Sequence, residues 1–205
     1  MALAVQKLKR AADLRFAYHT GVWKRQLAVE QQRLPLAAIS SIRASSTLKP
    51  SAGVRYDPGN LLDGRAKTAW VEGVQDDGVG EWIEVTFRPG VELYGVAMLN
   101  GYGQSEKTFK ENGRVSAVEV TLQDRDRSRS SSLEKHSLDR GNFAESSPNL
   151  PSAFLVDILS DQWVPGKEAY NPKKLRLRII KAHRGSAYAD TAISELYLLG
   201  TFKPG

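Results

Sequence analysis

The hydrophobic period of this 205-residue chain changes once, at Leu34-Pro35, and that change constrains the fold more than any other feature. Beyond it, apolar and polar residues alternate in short runs rich in β-branched and aromatic residues. Expected strands are Ala38–Leu48, Glu81–Phe87, Leu93–Asn100, Arg114–Leu122, Phe154–Leu159, Lys174–Ala182 and Ile193–Leu199, with a weaker one near Ser131–Leu138. Turn residues punctuate them, as in Asp57-Pro58-Gly59, Arg88-Pro89-Gly90 and Asn112-Gly113. No helical pattern longer than one or two turns separates the runs, which disfavours parallel βαβ units. About eight antiparallel strands imply a mainly β fold, a β-sandwich and most simply a jelly roll.

The run Lys174–Ala182 shows the alternation. Leu175, Leu177 and Ile179 are expected to face the core, and Lys174, Arg176 and Arg178 to face outward. The outward set reads as a basic stripe for an anionic ligand or as a solvated, charge-protected face. Arg125, Arg127 and Arg129 alternate with Asp124, Asp126, Ser128 and Ser130, and read as a nearly neutral hairpin excursion rather than an RNA-binding segment.

Before Leu34 the period is helical. Ala2–Gln32 contains no proline and one glycine, Gly21, and Leu3, Leu8, Ala12, Phe16, Trp23 and Leu27 recur at helical spacing. Residues 1–35 are therefore read as an amphipathic helical extension, and 36–205 as the sandwich. The extension carries seven Lys/Arg against two acids, which is +5 of the chain's net +6. The pI near 9.5 thus describes the extension and not the main domain, an argument against a nucleic-acid footprint on the folded body. Three roles fit such a helix. It packs on its own domain or a sister subunit, docks on an acidic partner or anionic membrane through Lys7, Lys9, Arg10, Phe16 and Trp23, or serves as an organelle presequence. The sandwich can close over its own core, so contact with another chain, in an oligomer or larger complex, is expected. Met1–Val5 is too short an apolar run for a cleavable secretory signal, and Lys7, Lys9 and Arg10 interrupt it. The compartment stays unknown on this reading, with the cytoplasm or a larger assembly as the expectation. No stretch approaches the apolar length of a transmembrane helix.

Cysteine is absent, which excludes disulfides, thiolate metal sites and a cysteine nucleophile. The three histidines (His19, His136, His183) are far apart in sequence, so a histidine metal site is not expected. Gly101-Tyr102-Gly103 lacks the third glycine of a dinucleotide fingerprint, and no Gly-x-Ser-x-Gly, Walker loop or His-Glu-x-x-His occurs. Glu72, Asp76, Asp77, Glu81 and Glu84 form an acidic cluster that reads as a solvated loop entering a strand. No catalytic residue is assigned, and the chain is read as not an enzyme.

The most specific stretch is Tyr56-Asp57-Pro58-Gly59-Asn60-Leu61-Leu62-Asp63-Gly64, followed by Thr68-Ala69-Trp70-Val71-Glu72-Gly73. After it come Gly80-Glu81-Trp82-Ile83, Asn100-Gly101-Tyr102, Asn112 with Arg114, and Tyr188-Ala189-Asp190-Thr191-Ala192-Ile193-Ser194-Glu195. Over roughly residues 40–200 this ordered set resembles the discoidin, or coagulation-factor type C, group of galactose-binding-like domains. It is most similar to the bacterial branch named after the translocation domain of an NAD glycohydrolase toxin, a non-catalytic, glycan-binding part of that toxin.

The resemblance implies ligand loops at one end of the sandwich. Trp70, Glu72, Tyr102, Asn112 and Arg114 are the matching candidates: an aromatic platform with directional hydrogen-bonding groups suits a sugar. The alternative is that they are the fold's own corner pieces. The resemblance also implies a structural Ca²⁺ held by Asp63, Thr68 and Glu195, oxygen ligands suited to a hard cation. Arg65 replaces the acid that often follows Asp-Gly and would repel such an ion; in that case Asp63 caps the turn and Glu195 pairs with Arg65 or a backbone amide. The expected function is a non-catalytic recognition module binding a glycan or protein partner. The alternatives are a structural subunit docked by its helix and, third, nucleic-acid association through the helix and the Lys173–Arg184 stripe.

Overall fold

The computed structural model describes residues 33–125, 130–136, 155–157 and 170–205. The docking residues Lys7, Lys9, Arg10, Phe16 and Trp23 lie outside the described residues, as do most of the Arg125–Ser130 excursion and its neighbours.

Among the described residues nine strands follow in order: β1 (Ile39–Ala44), β2 (Trp70–Val71), β3 (Trp82–Phe87), β4 (Val91–Asn100), β5 (Arg114–Asp124), β6 (Ser130–His136), β7 (Leu155–Asp157), β8 (Pro172–His183) and β9 (Ala192–Phe202). They form two antiparallel sheets, one ordered β1-β3-β8-β5-β6 and the other β2-β9-β4-β7. The mainly β sandwich expected from the alternation is what forms. The short strand β2 was not anticipated. Neither was α1 (Glu106–Glu111), a single helix secured by a capping box between Ser105 and Thr108.

The sheets meet over one apolar layer. Ile83, Val85 and Phe87 of β3, Val118, Val120 and Leu122 of β5, and Leu175, Leu177 and Ile179 of β8 come from one side. Val91, Leu93, Val96 and Met98 of β4, with Leu196 and Leu198 of β9, come from the other. The five-stranded sheet keeps a solvated outer face, so β8 alternates as its sequence predicts. The four-stranded sheet is covered on both faces. Phe109 of α1 and Ala66 pack with Ala97, Leu99, Tyr197 and Leu199 on its outer side. That is why β9 is buried without alternation from Ala192 to Leu199.

Asn100 joins the two sheets. Its side chain donates to the Val115 carbonyl at 2.7 Å and accepts the Val115 amide at 3.0 Å, so the end of β4 is held to the start of β5. The chain's entry is held as well. Arg33 forms an antiparallel bridge with Leu199, the Leu34 amide donates to the Leu198 carbonyl at 2.7 Å, and Leu34 joins the core. The body of the domain therefore includes Arg33 and Leu34, residues that the period change assigns to the extension.

Candidate functional site

Strand polarity gathers one set of loops at one end of the sandwich. The loops after β1 and β2, between β4 and β5, and between β8 and β9 (residues 184–191) all lie there. Backbone and side-chain bonds stitch them together. The Thr191 hydroxyl donates to the Asp77 carbonyl at 2.8 Å, and Arg184 approaches the Asp77 carboxylate at 3.8 Å. The amides of Ser186 and Tyr188 donate to the carbonyls of Lys110 and Glu111 at 2.9 and 2.8 Å.

The five candidates Trp70, Glu72, Tyr102, Asn112 and Arg114 stand at or next to this end, but they face the protein. Trp70 is fully buried, and its indole donates to the Ser46 carbonyl at 3.0 Å, the partner a buried indole needs. Glu72 is fully buried too. Its two carboxylate oxygens accept the amides of Thr191 at 3.0 Å and Val74 at 2.8 Å, which ties the loop after β2 to the start of β9. Burial pushes the Glu72 carboxyl up, and these amides oppose the rise. Gly78 makes room for it: φ is +74°, and a Cβ there would lie 2.6 Å from Glu72 Cγ.

Tyr102 packs edge-to-face on Tyr56, ring centroids 6.3 Å apart, within a small apolar group with Ala69, Val71 and Ala192. Burial raises its phenol. Asn112 closes α1, donating to the Thr108 carbonyl at 2.8 Å. The Arg114 guanidinium lies 4.5 Å over the Phe109 ring and is buried. These groups are corner pieces of the fold, and no flat face of Trp70 or Tyr102 is turned outward for a sugar.

At this end of the sandwich Tyr188 faces solvent, 53% exposed. It sits in a tight turn closed by the Gly185 amide donating to the Tyr188 carbonyl at 3.1 Å. The sequence stretch containing it was noted, but the residue itself carried no signal separating it from its neighbours. In the same loop Arg184 is largely exposed.

The structure brings Asp63, Thr68 and Glu195 into one corner. The Thr68 hydroxyl donates to Asp63 at 2.8 Å, and Asp63 also accepts the Arg65 amide at 2.9 Å. One Glu195 oxygen accepts the amides of Gly64 at 2.6 Å and Arg65 at 3.0 Å. The other takes the guanidinium of Arg33 at 2.8 Å. The cation partner is thus Arg33 and not the Arg65 side chain. Burial pushes the Glu195 carboxyl up to about 8; Arg33 and the amides lower it, and its hydrogen bond with Asp63 raises it. These oxygens are already met by N–H and O–H donors and by a guanidinium, an arrangement that does not fit Ca²⁺. Among the described residues no group of three or more acidic or imidazole side chains is placed to hold a metal ion.

The basic stripe of β8 is largely answered by acids. Glu84 on β3 stands in register between Arg43 of β1 and Arg176 of β8. Its carboxylate, nearly buried, takes Arg43 at 2.6 Å, Arg176 at 2.7 Å and Lys174 at 3.2 Å. Glu119 takes Arg178 at 2.7 Å. Trp82 lies beneath two guanidiniums, Arg176 at 4.5 Å and Arg43 at 5.8 Å from its ring centroid. Glu84 thus lies in the expected strand Glu81–Phe87 and not in the loop that enters it.

Residues 36–199 match the model of the family described as the NAD glycohydrolase translocation F5/8 type C domain. Solved structures share the fold at low identity. The F5/8 type C domain of a Bacteroides fragilis protein superposes with a TM-score of 0.52 at 12% identity, covering 84% of this chain and 97% of that one. A fragment of a putative chitobiase from Bacteroides thetaiotaomicron gives 0.54 at 10% identity, covering 82% and 90%. The family 32 carbohydrate-binding module of Clostridium perfringens NanJ, solved in complex with galactose, gives 0.50 at 14% identity, covering 82% and 97%. No curated protein is similar to the chain in sequence.

Proposed function

The chain belongs to the NAD glycohydrolase translocation F5/8 type C domain family, and on that premise we propose that it is a non-catalytic recognition module that binds a glycan through the loops at one end of its sandwich. The observation that carries this reading is Tyr188. A solvent-facing aromatic ring, on a turn pinned by α1 on one side and joined to the loop after β2 on the other, is a preorganised platform for the apolar face of a sugar. Arg184 and Asp77, 3.8 Å apart in the same group of loops, supply a donor and an acceptor for hydroxyl groups. The residues that the sequence proposed for contact serve this site indirectly. Glu72 holds the loop after β2, and the end of α1 holds the turn under Tyr188.

The test is an array of immobilised glycans probed with the full chain and with Tyr188→Ala. Binding to a defined class of glycan, lost at least tenfold in the variant while both proteins melt together, is the expected result. Retention of no glycan, or equal binding by the variant, refutes the reading.

A further inference from the structure

We propose that Arg33 is a built-in cation that takes the place of a divalent ion at the Asp63–Glu195 corner, so that this domain closes the corner without calcium. The corner collects acidic oxygens from remote parts of the chain, 131 residues apart for the Gly64–Glu195 bond alone. Glu195 is fully buried, and its charged form needs a positive partner there. That partner arrives from the chain's entry. Arg33 Nη2 lies 2.8 Å from Glu195 Oε2, with the Arg33 side chain only 17% exposed.

The guanidinium is fixed by more than charge. It stacks 5.2 Å over the Tyr197 ring. It also lies against the Asp-Gly turn, close enough that a Cβ on Gly64 would sit 3.6 Å from Nη1. The backbone beneath it is held by the Arg33–Leu199 bridge and by the Leu34 amide on Leu198. The carboxyl oxygens already have donors. Glu195 Oε1 takes two amides, and Asp63 takes the Thr68 hydroxyl and the Arg65 amide. A planar, permanently charged fork on a long stem suits this place, where an ion would have to break those bonds and face a resident cation. The corner also has a structural consequence: it staples Arg33 to β9.

The experiment uses the full chain. Melting of the wild type in millimolar calcium chloride and in a chelator should coincide. Arg33→Ala and Arg33→Gln should melt lower in chelator, and calcium should now raise their Tm, because removing the guanidinium leaves Asp63 and Glu195 facing an open cation position. Arg33→Lys, which keeps the charge but not the planar fork, should melt below the wild type and still show no calcium response. A wild type stabilised by calcium, or Ala and Gln variants with no calcium-dependent rise, overturns the proposal. Should neither variant fold, calorimetric titration of the wild type decides. Saturable calcium binding at one site overturns the proposal, and no heat of binding upholds it.

Discussion

Replacing Glu84 by Gln removes the charge on which Arg43, Lys174 and Arg176 converge. Burial alone would raise this carboxyl, but the three cations reverse that and hold it at about 2 instead of 4.5. A carboxyl held that low corresponds to a gross stabilisation of about 3 kcal/mol. The cover over Glu84, however, is made of its partners' own side chains, and Arg43 and Arg176 are 59% and 44% exposed. Water and salt reach the charges through them, which reduces the net effect to about 1–2 kcal/mol. Glu84→Gln should therefore lower the Tm by about 2–8 °C at neutral pH and low salt. The sign with pH follows from the depressed folded-state value. The stabilisation is complete above the ordinary carboxylate range near 4.5 and is lost as pH falls through about 2. Urea unfolding of the wild type and the variant from pH 7 to pH 2.5 measures this. The gap should be widest at pH 7, narrow below pH 4.5, and shrink in high salt. A gap that is constant over that range, or absent at pH 7, refutes the electrostatic reasoning.

Two further substitutions test the packing. Asn100→Ala leaves the buried Val115 amide and carbonyl without partners and should cost about 2–4 kcal/mol, read from the denaturation midpoint; a loss below 1 kcal/mol would mean that the bond between the sheets is dispensable. Gly90 has φ +86°, and a Cβ there would lie 2.0 Å from the Lys203 carbonyl oxygen, so Gly90→Ala should cost at least about 2 kcal/mol, and wild-type melting by this variant would contradict the turn geometry.

Local pattern determined a good deal of this protein. The period change at Leu34-Pro35 and the alternation beyond it specify antiparallel strands, because side-chain direction in a strand has a period of two and needs no knowledge of neighbours. The inward set of β8, Leu175, Leu177 and Ile179, was legible for that reason. So was the family, since the Asp-Gly turn and the Trp and Tyr corner residues are local motifs in a fixed order.

Partnership and exposure were decided by the tertiary structure alone. Arg33 was one basic residue among seven in the opening segment, and its pairing with Glu195 spans 162 residues that only the packed sandwich brings together. Glu84 was legible as a strand residue, but only sheet register set it between Arg43 and Arg176. For Trp70 and Tyr102 the sequence left sugar platform and corner piece both open, because aromatic residue type does not encode which way a ring faces. The loops around the sandwich end turned them inward and left Tyr188 outside. A carboxylate, a guanidinium or a ring has the same chemistry wherever it sits in the sequence; its role comes from what the fold places within a few ångströms of it, and that distance is set by the whole chain.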